Sequence, residues 1–148
     1  ALLMLLGRTG VLGGLLAPLG ITIPFTTGAV VIAQTFTSMP FLVFAVEGAL
    51  RAADRRTEAA AATLGATPGQ VLRLVTIPAV APGIAAGAVL CFARALGEFG
   101  ATITFAGSFP GTTRTLPIAS YLALEVDPDR AIALALLLLA VSVAALLV

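Results

Sequence analysis

The stretch AVVIAQTFTSMPFLVFAVEGA, Ala29–Ala49, carries a single charged side chain, Glu47, in a run long enough to cross a bilayer. A membrane helix needs about 20 mostly apolar residues to span about 30 Å of hydrocarbon. Thr26, Thr27 and Gly28 bound the run on one side and Arg51 on the other. Pro40 lies inside it and predicts a kink, which membrane helices tolerate when neighbours satisfy the freed carbonyl. Working outward, a second span is expected from Pro78 to Leu96 and a third from near Arg130 to Val148. The apolar opening, Ala1 to Leu6, lacks the basic region that starts a secretory signal and reads as the end of a severed span. The expectation is therefore a fragment, lacking at least one N-terminal span and a C-terminal tail.

Composition agrees with membrane residence. The 148 residues are 59% hydrophobic and 10% charged, with a mean hydropathy of +1.12. A soluble domain carries about 25% charged residues, so too little polar surface exists to cover a water-soluble globule. Disorder would need low hydrophobicity and high charge. The chain has no His, no Trp and only Cys91. That removes disulfide frameworks, Cys/His metal clusters and Ser-His-Asp triads. A net charge of +1 is too small for nucleic-acid binding. No catalytic residue, metal site or cofactor is expected.

All eight basic residues are arginines, and Arg51, Arg55, Arg56 and Arg73 fall between the first two full spans. Arg8, Arg114 and Arg130 lie in the segments on the opposite side. By the positive-inside rule the loop 51–77 faces the cytoplasm, and 7–27 and 100–129 face outward. The outward segments are rich in turn formers around Gly107–Gly111. Asp127-Pro128 offers an N-cap followed by the residue best suited to a first helical position.

The cytoplasmic loop reads DRRTEAAAATLGATPG, Asp54–Gly69. Thr57 as N-cap, Glu58 at the positive end of the dipole and four alanines predict a short helix. Gly65 can take the left-handed conformation that ends it. Thr67-Pro68 then opens a second short helix towards Thr76, before the span at Ile77-Pro78. A helix this short is marginal alone and must pack on something. It is either a connector folded back on its own membrane domain or a knob for a groove on a partner.

At these residues the sequence resembles the EAA loop of ABC-importer permeases, which reads Glu-Ala-Ala, three residues, Gly, nine residues, Ile-x-Leu-Pro. Nine residues separate Gly65 from Val75-Thr76-Ile77-Pro78, with Val75 and Ile77 in place of Ile and Leu. Glu58 precedes Gly65 by seven residues, not six, an offset shared by the molybdate and related oxyanion permeases. The resemblance implies that Thr57–Ala66 is a coupling helix docking in a cytoplasmic ATPase subunit. Glu58, Ala59, Ala60, Ala61, Leu64, Gly65 and Ala66 would make the ATPase contact, with Glu58 as polar anchor and Gly65 as the tight turn.

Ala79, Gly83, Gly87, Cys91 and Ala95 recur every four residues and predict a strip where another helix can approach closely. Cys91 belongs to this packing strip. If the helix continues far enough, Arg94 and Glu98 flank the same face. They form either a self-satisfied pair four residues apart or a charged element of a pathway. Gln34, Thr35 and Ser38 on the Pro40 helix could face a polar conduit or make helix-to-helix hydrogen bonds. The run from Phe92 to Thr102 closely resembles molybdate permeases, whereas sulfate permeases usually place Tyr-Gly-Ser at Phe99-Gly100-Ala101. Thr113-Arg114-Thr115-Leu116-Pro117 and Tyr121 fit the family's outer segment.

The resemblance implies an all-α polytopic transmembrane bundle of the type I ABC-importer kind, in the cell membrane. It would work as a homodimer with cytoplasmic ATP-binding subunits and an extracytoplasmic oxyanion-binding protein. No Walker-type phosphate loop is present in the sequence, so ATP hydrolysis would come from the partner. The expected substrate is molybdate, with tungstate or sulfate as alternatives within the class. From another class, a membrane scaffold without an ATPase partner is the competing reading.

Overall fold

The computed structural model describes residues 2–7, 10–20 and 22–147; Arg8, placed on the outer side by the sequence reading, lies outside them. The described residues form helices joined by short turns, with no strand among them: α1 (Leu2–Leu6), α2 (Val11–Leu16), α3 (Thr27–Ala52), α4 (Arg55–Thr63), α5 (Pro68–Val71), a π-helical segment (Leu72–Thr76), α6 (Ile77–Leu96), α7 (Gly100–Phe105), α8 (Leu116–Ala123) and α9 (Pro128–Leu146). The expected all-α fold is what forms. Three continuous helices are long and apolar enough to cross a membrane: Thr27–Ala52, Pro68–Leu96 and Pro128–Leu146. Phe36, Phe44, Leu136 and Leu139 are exposed along them, as suits side chains meeting lipid.

The spans differ from expectation at their ends. α3 starts two residues early, where the Thr26 hydroxyl accepts the Ala29 N–H at 3.2 Å, and runs three residues past Ala49. The third span begins at Pro128, with the Asp127 carboxylate accepting the Arg130 N–H at 3.1 Å as the sequence anticipates. The second span does not begin at Pro78. One helix runs unbroken from Pro68 to Leu96. A proline ring clashes with the carbonyl four residues back and donates no N–H. Here the turn just before it widens, and the Ile77 N–H bonds the Leu72 carbonyl in π-helical fashion. The helix therefore passes through Pro78.

The chain forms two compact units. In the first, residues 1–38 and 92–148, Ala29, Val30 and Ala33 pack against Phe105 and Ala106, with Leu2, Leu6, Ile23, Ile32 and Ala101 around them. The segment 100–129 contains two short helices, one on either side of the expected turn formers at Gly107–Gly111. α7 buries Thr102 and Phe105, and α8 pairs with α9, where the Ser120 hydroxyl donates to the Ala131 carbonyl at 3.1 Å. Between α7 and α8, Gly107 and Gly111 take positive φ, and the Phe109 carbonyl accepts the N–H groups of Thr112, Thr113 and Arg114. Phe25, at φ 64°, meets Phe109 edge to face at 6.2 Å.

The second unit, Met39–Cys91, holds the loop between the first two spans. Part of the expected small-residue strip closes here: a Cβ on Gly83 would collide with that of Ala49, and one on Gly87 with that of Ala45. Gly87 is buried, Cys91 is half-buried and Ala79 is exposed. Small residues let the helix backbones meet, which is how apolar helices gain van der Waals contact where no hydrophobic force drives them together.

Candidate functional site

The loop folds as a helical hairpin whose ends are fixed by local chemistry. α4 starts at Arg55, three residues before the position read from the sequence. Asp54, not Thr57, is the N-cap, because its carboxylate accepts the Arg56 N–H at 2.9 Å and faces the positive end of the helix. The Thr57 hydroxyl donates instead to the Asp54 carbonyl at 2.7 Å. At the far end the Gly65 N–H bonds Ala62 O at 3.0 Å and the Ala66 N–H bonds Ala61 O at 3.1 Å. These are the two bonds of a Schellman closure, and Gly65 takes the left-handed φ of +90° that it requires. Thr67 and Pro68 open α5 as anticipated, and the Gln70 side chain accepts the Thr67 N–H at 2.9 Å.

This closure presents Leu64, 89% exposed, and Gly65 at the tip, with Ala59 and Ala60 exposed along α4. Ala61 and Ala66 are half-buried. They line an open groove of about 310 Å³ with Leu64 on one side and Gln70, Val71 and Leu74 on the other. Glu58 is half-buried and turned back onto its own chain, where its carboxylate accepts the Thr76 hydroxyl at 2.6 Å. Arg51, Arg55, Arg56 and Arg73 are all exposed around the hairpin, and Arg51 pairs with Glu47 at 2.6 Å.

The second cluster lies at the end of α6. The helix stops at Leu96, so Glu98 is beyond it and not on its face. Its carboxylate nevertheless reaches back to Arg94 Nη1 at 2.8 Å and accepts the Ala101 N–H at 2.8 Å, in the first turn of α7. Glu98 is 5% exposed, and the Arg94 side chain 39%. A buried carboxylate is tolerable with such partners, because both oxygens are satisfied and one faces a cation. Ser38, 2% exposed, donates to the Gln34 carbonyl of its own helix at 2.6 Å, and Thr35 is exposed. A cavity of about 320 Å³ lies between Leu2, Phe36, Thr37, Ala101, Thr104 and Phe105, and its described lining carries no cation.

Sequence reasoning brought together Arg94 and Glu98 from their spacing and the hairpin from its caps. It missed Thr76, whose tie to Glu58 joins positions 18 residues apart and leaves no periodic signal. It also missed Thr102, a fully buried hydroxyl without a hydrogen-bond partner.

Comparison with known proteins follows the same lines. The profile of a family described as binding-protein-dependent transport system inner membrane component matches residues 2–148. The chain is similar to the molybdenum transport system permease protein ModB of Mycobacterium tuberculosis, 57% identical over 142 residues, covering 96% of this chain and 54% of that protein. ModB of Escherichia coli K12 is 42% identical over 144 residues, covering 97% of this chain and 63% of that protein. Sulfate permease 2, chloroplastic, of Chlamydomonas reinhardtii is 38% identical over 146 residues, covering 98% of this chain and 40% of that protein. The chain spans about half the length of the ModB of M. tuberculosis.

Proposed function

The chain belongs to the family of binding-protein-dependent transport system inner membrane components, and from that premise we propose that it is the membrane-spanning subunit of an ATP-driven oxyanion importer, with molybdate as the substrate. It is a multi-pass membrane protein. The observation that carries the reading is the exposed hairpin tip at Leu64-Gly65, closed by its own backbone and flanked by exposed arginines. Such a small-residue knob suits insertion into a groove on a partner. The partners are cytoplasmic ATP-binding subunits, an extracytoplasmic oxyanion-binding protein and a second copy of the chain.

In this mechanism the subunit performs no bond chemistry. ATP-driven closure of the partner ATPases draws the two hairpins together, and the spans switch between inward and outward access. Glu58, Ala59, Ala60, Ala61, Leu64, Gly65 and Ala66 make up the coupling element. Arg94, whose side chain is partly exposed, would attract the anion transiently, while Glu98 offsets its charge and prevents trapping. Ser38 and Thr35 complete the pathway candidates. The name of the Chlamydomonas relative favours sulfate as the second reading.

The test is Gly65→Pro. Proline holds φ near about −65°, which is incompatible with the +90° at this position. The variant should insert in the membrane yet separate ATP hydrolysis from uptake. Uptake at the wild-type rate, or failure of the wild-type chain to co-purify with an ATPase, defeats the reading in favour of a scaffold. Competition among molybdate, tungstate and sulfate for the companion binding protein assigns the substrate.

A further inference from the structure

We propose that Thr76 is a positioning residue for coupling: its hydrogen bond to Glu58 locks the hairpin to the base of the second span, so that force on the knob moves that span instead of swinging the knob. This rests on the importer reading above. At the tip the nine-residue helix is held to α5 only by the backbone hydrogen bonds of the turn at Gly65. The open groove between Ala61 and Leu74 offers little packing at the tip. The other end of the hairpin is where the chain rejoins the spans, and there Glu58 Oε1 accepts Thr76 Oγ1 at 2.6 Å. The alternative acceptor, Val71 O, lies at 3.5 Å, too long to compete.

The position of Thr76 adds to the case. It closes the π-helical segment Leu72–Thr76, two residues before Pro78. A π turn inside an α-helix is a local weak point and is common at functional sites. The bond therefore ties Glu58 to the 29-residue helix at one of the two places, the π turn and Pro82, where that helix is most easily bent. A hydroxyl donating to a carboxylate is among the stronger hydrogen bonds available to neutral donors. Glu58 is thereby committed to its own chain, leaving Ala59, Ala60 and Leu64 as the exposed face for the ATPase.

The experiment uses the complete transporter, with its ATPase and binding protein, reconstituted in liposomes, and reads molybdate uptake per ATP hydrolysed. Thr76→Val keeps the shape and removes the donor. The ratio should fall about tenfold, the population effect of one charge-assisted hydrogen bond, while ATPase subunits stay bound and hydrolysis continues. Thr76→Ser should restore it. Glu58→Ala should lower the ratio similarly, and the double variant should be no worse than either single one. Should Thr76→Val fail to insert, the Glu58→Ala and Thr76→Ser chains still decide the matter. A wild-type ratio in Thr76→Val or Glu58→Ala overturns the proposal. So do additive losses in the double variant, a Thr76→Ser chain that behaves like Thr76→Val, or loss of ATPase binding as the sole defect. Absence of ATP-dependent uptake by the wild-type complex would instead defeat the importer reading.

Discussion

Replacing Gly87 with alanine should strain the seam between the first two full spans, and the structure fixes how much. The new Cβ would stand 2.6 Å from the Ala45 Cβ and 3.2 Å from Leu42 Cδ1. Carbon atoms prefer about 3.5–4.0 Å, so the two helices must part by about 1 Å along that line. Overpacking of this kind costs about 1–3 kcal/mol. Alanine in place of glycine in a helix interior returns about 0.8–1.0 kcal/mol. Gly48→Ala isolates that second contribution, because a Cβ there meets nothing within 4 Å. It lies in α3, as Ala45 does. Gly87→Ala should accordingly be less stable than Gly48→Ala by about 1–3 kcal/mol. Reversible unfolding of the purified subunit by SDS in mixed micelles measures the difference. Adding Ala45→Gly to Gly87→Ala removes the nearest collision and should recover most of the loss. Equal stabilities for Gly87→Ala and Gly48→Ala would refute the close approach on which the second unit is built.

Two further outcomes follow from the first unit. A left-handed backbone costs a non-glycine residue about 1–2 kcal/mol, and Phe25 has φ 64°; Phe25→Gly should be more stable than Phe25→Ala by about that amount, and equal unfolding midpoints would show that the backbone there is unstrained. Glu98→Gln keeps an acceptor for the Ala101 N–H but leaves Arg94 without its counter-charge, whereas Glu98→Ala removes both bonds. Hydrogen exchange of α7 amides should rise in the order wild type, Gln, Ala, each step corresponding to about 1–3 kcal/mol, and unchanged exchange in Glu98→Ala counts against Glu98 as the anchor of α7.

The parts of this molecule that were legible in the sequence are those settled within a few residues. Gly65 announced a left-handed turn, Thr67-Pro68 and Asp127-Pro128 announced helix starts, and uninterrupted apolar runs announced the spans. Where two local signals compete, reading fails by a few residues, as when Asp54 displaces Thr57 as the cap. Ile77-Pro78 misled because proline usually ends a helix, whereas a widened turn upstream accommodates it here. α7 was hidden for a different reason. Its six residues have little helical preference of their own and are held by Phe105 packing against Ala29 and Ala33, far away in sequence. The start of α8, with Thr115 extended and Pro117 in the first turn, was likewise not read as a helix start. In the candidate site, the Arg94–Glu98 pair followed from spacing and the Glu58–Thr76 tie did not.

The unbroken helix from Pro68 has a mechanical meaning. At about 1.5 Å per residue, its 29 residues reach about 43 Å, some 13 Å more than the hydrocarbon layer. The surplus is a helical stub standing off the bilayer, joined to the part within the lipid through the hydrogen-bonded turn at Leu72–Thr76, which can bend but gives no free rotation. Torsion applied to the stub must therefore appear as a roll of the whole shaft, carrying Gly83 and Gly87 against their neighbours like teeth on a shared axle.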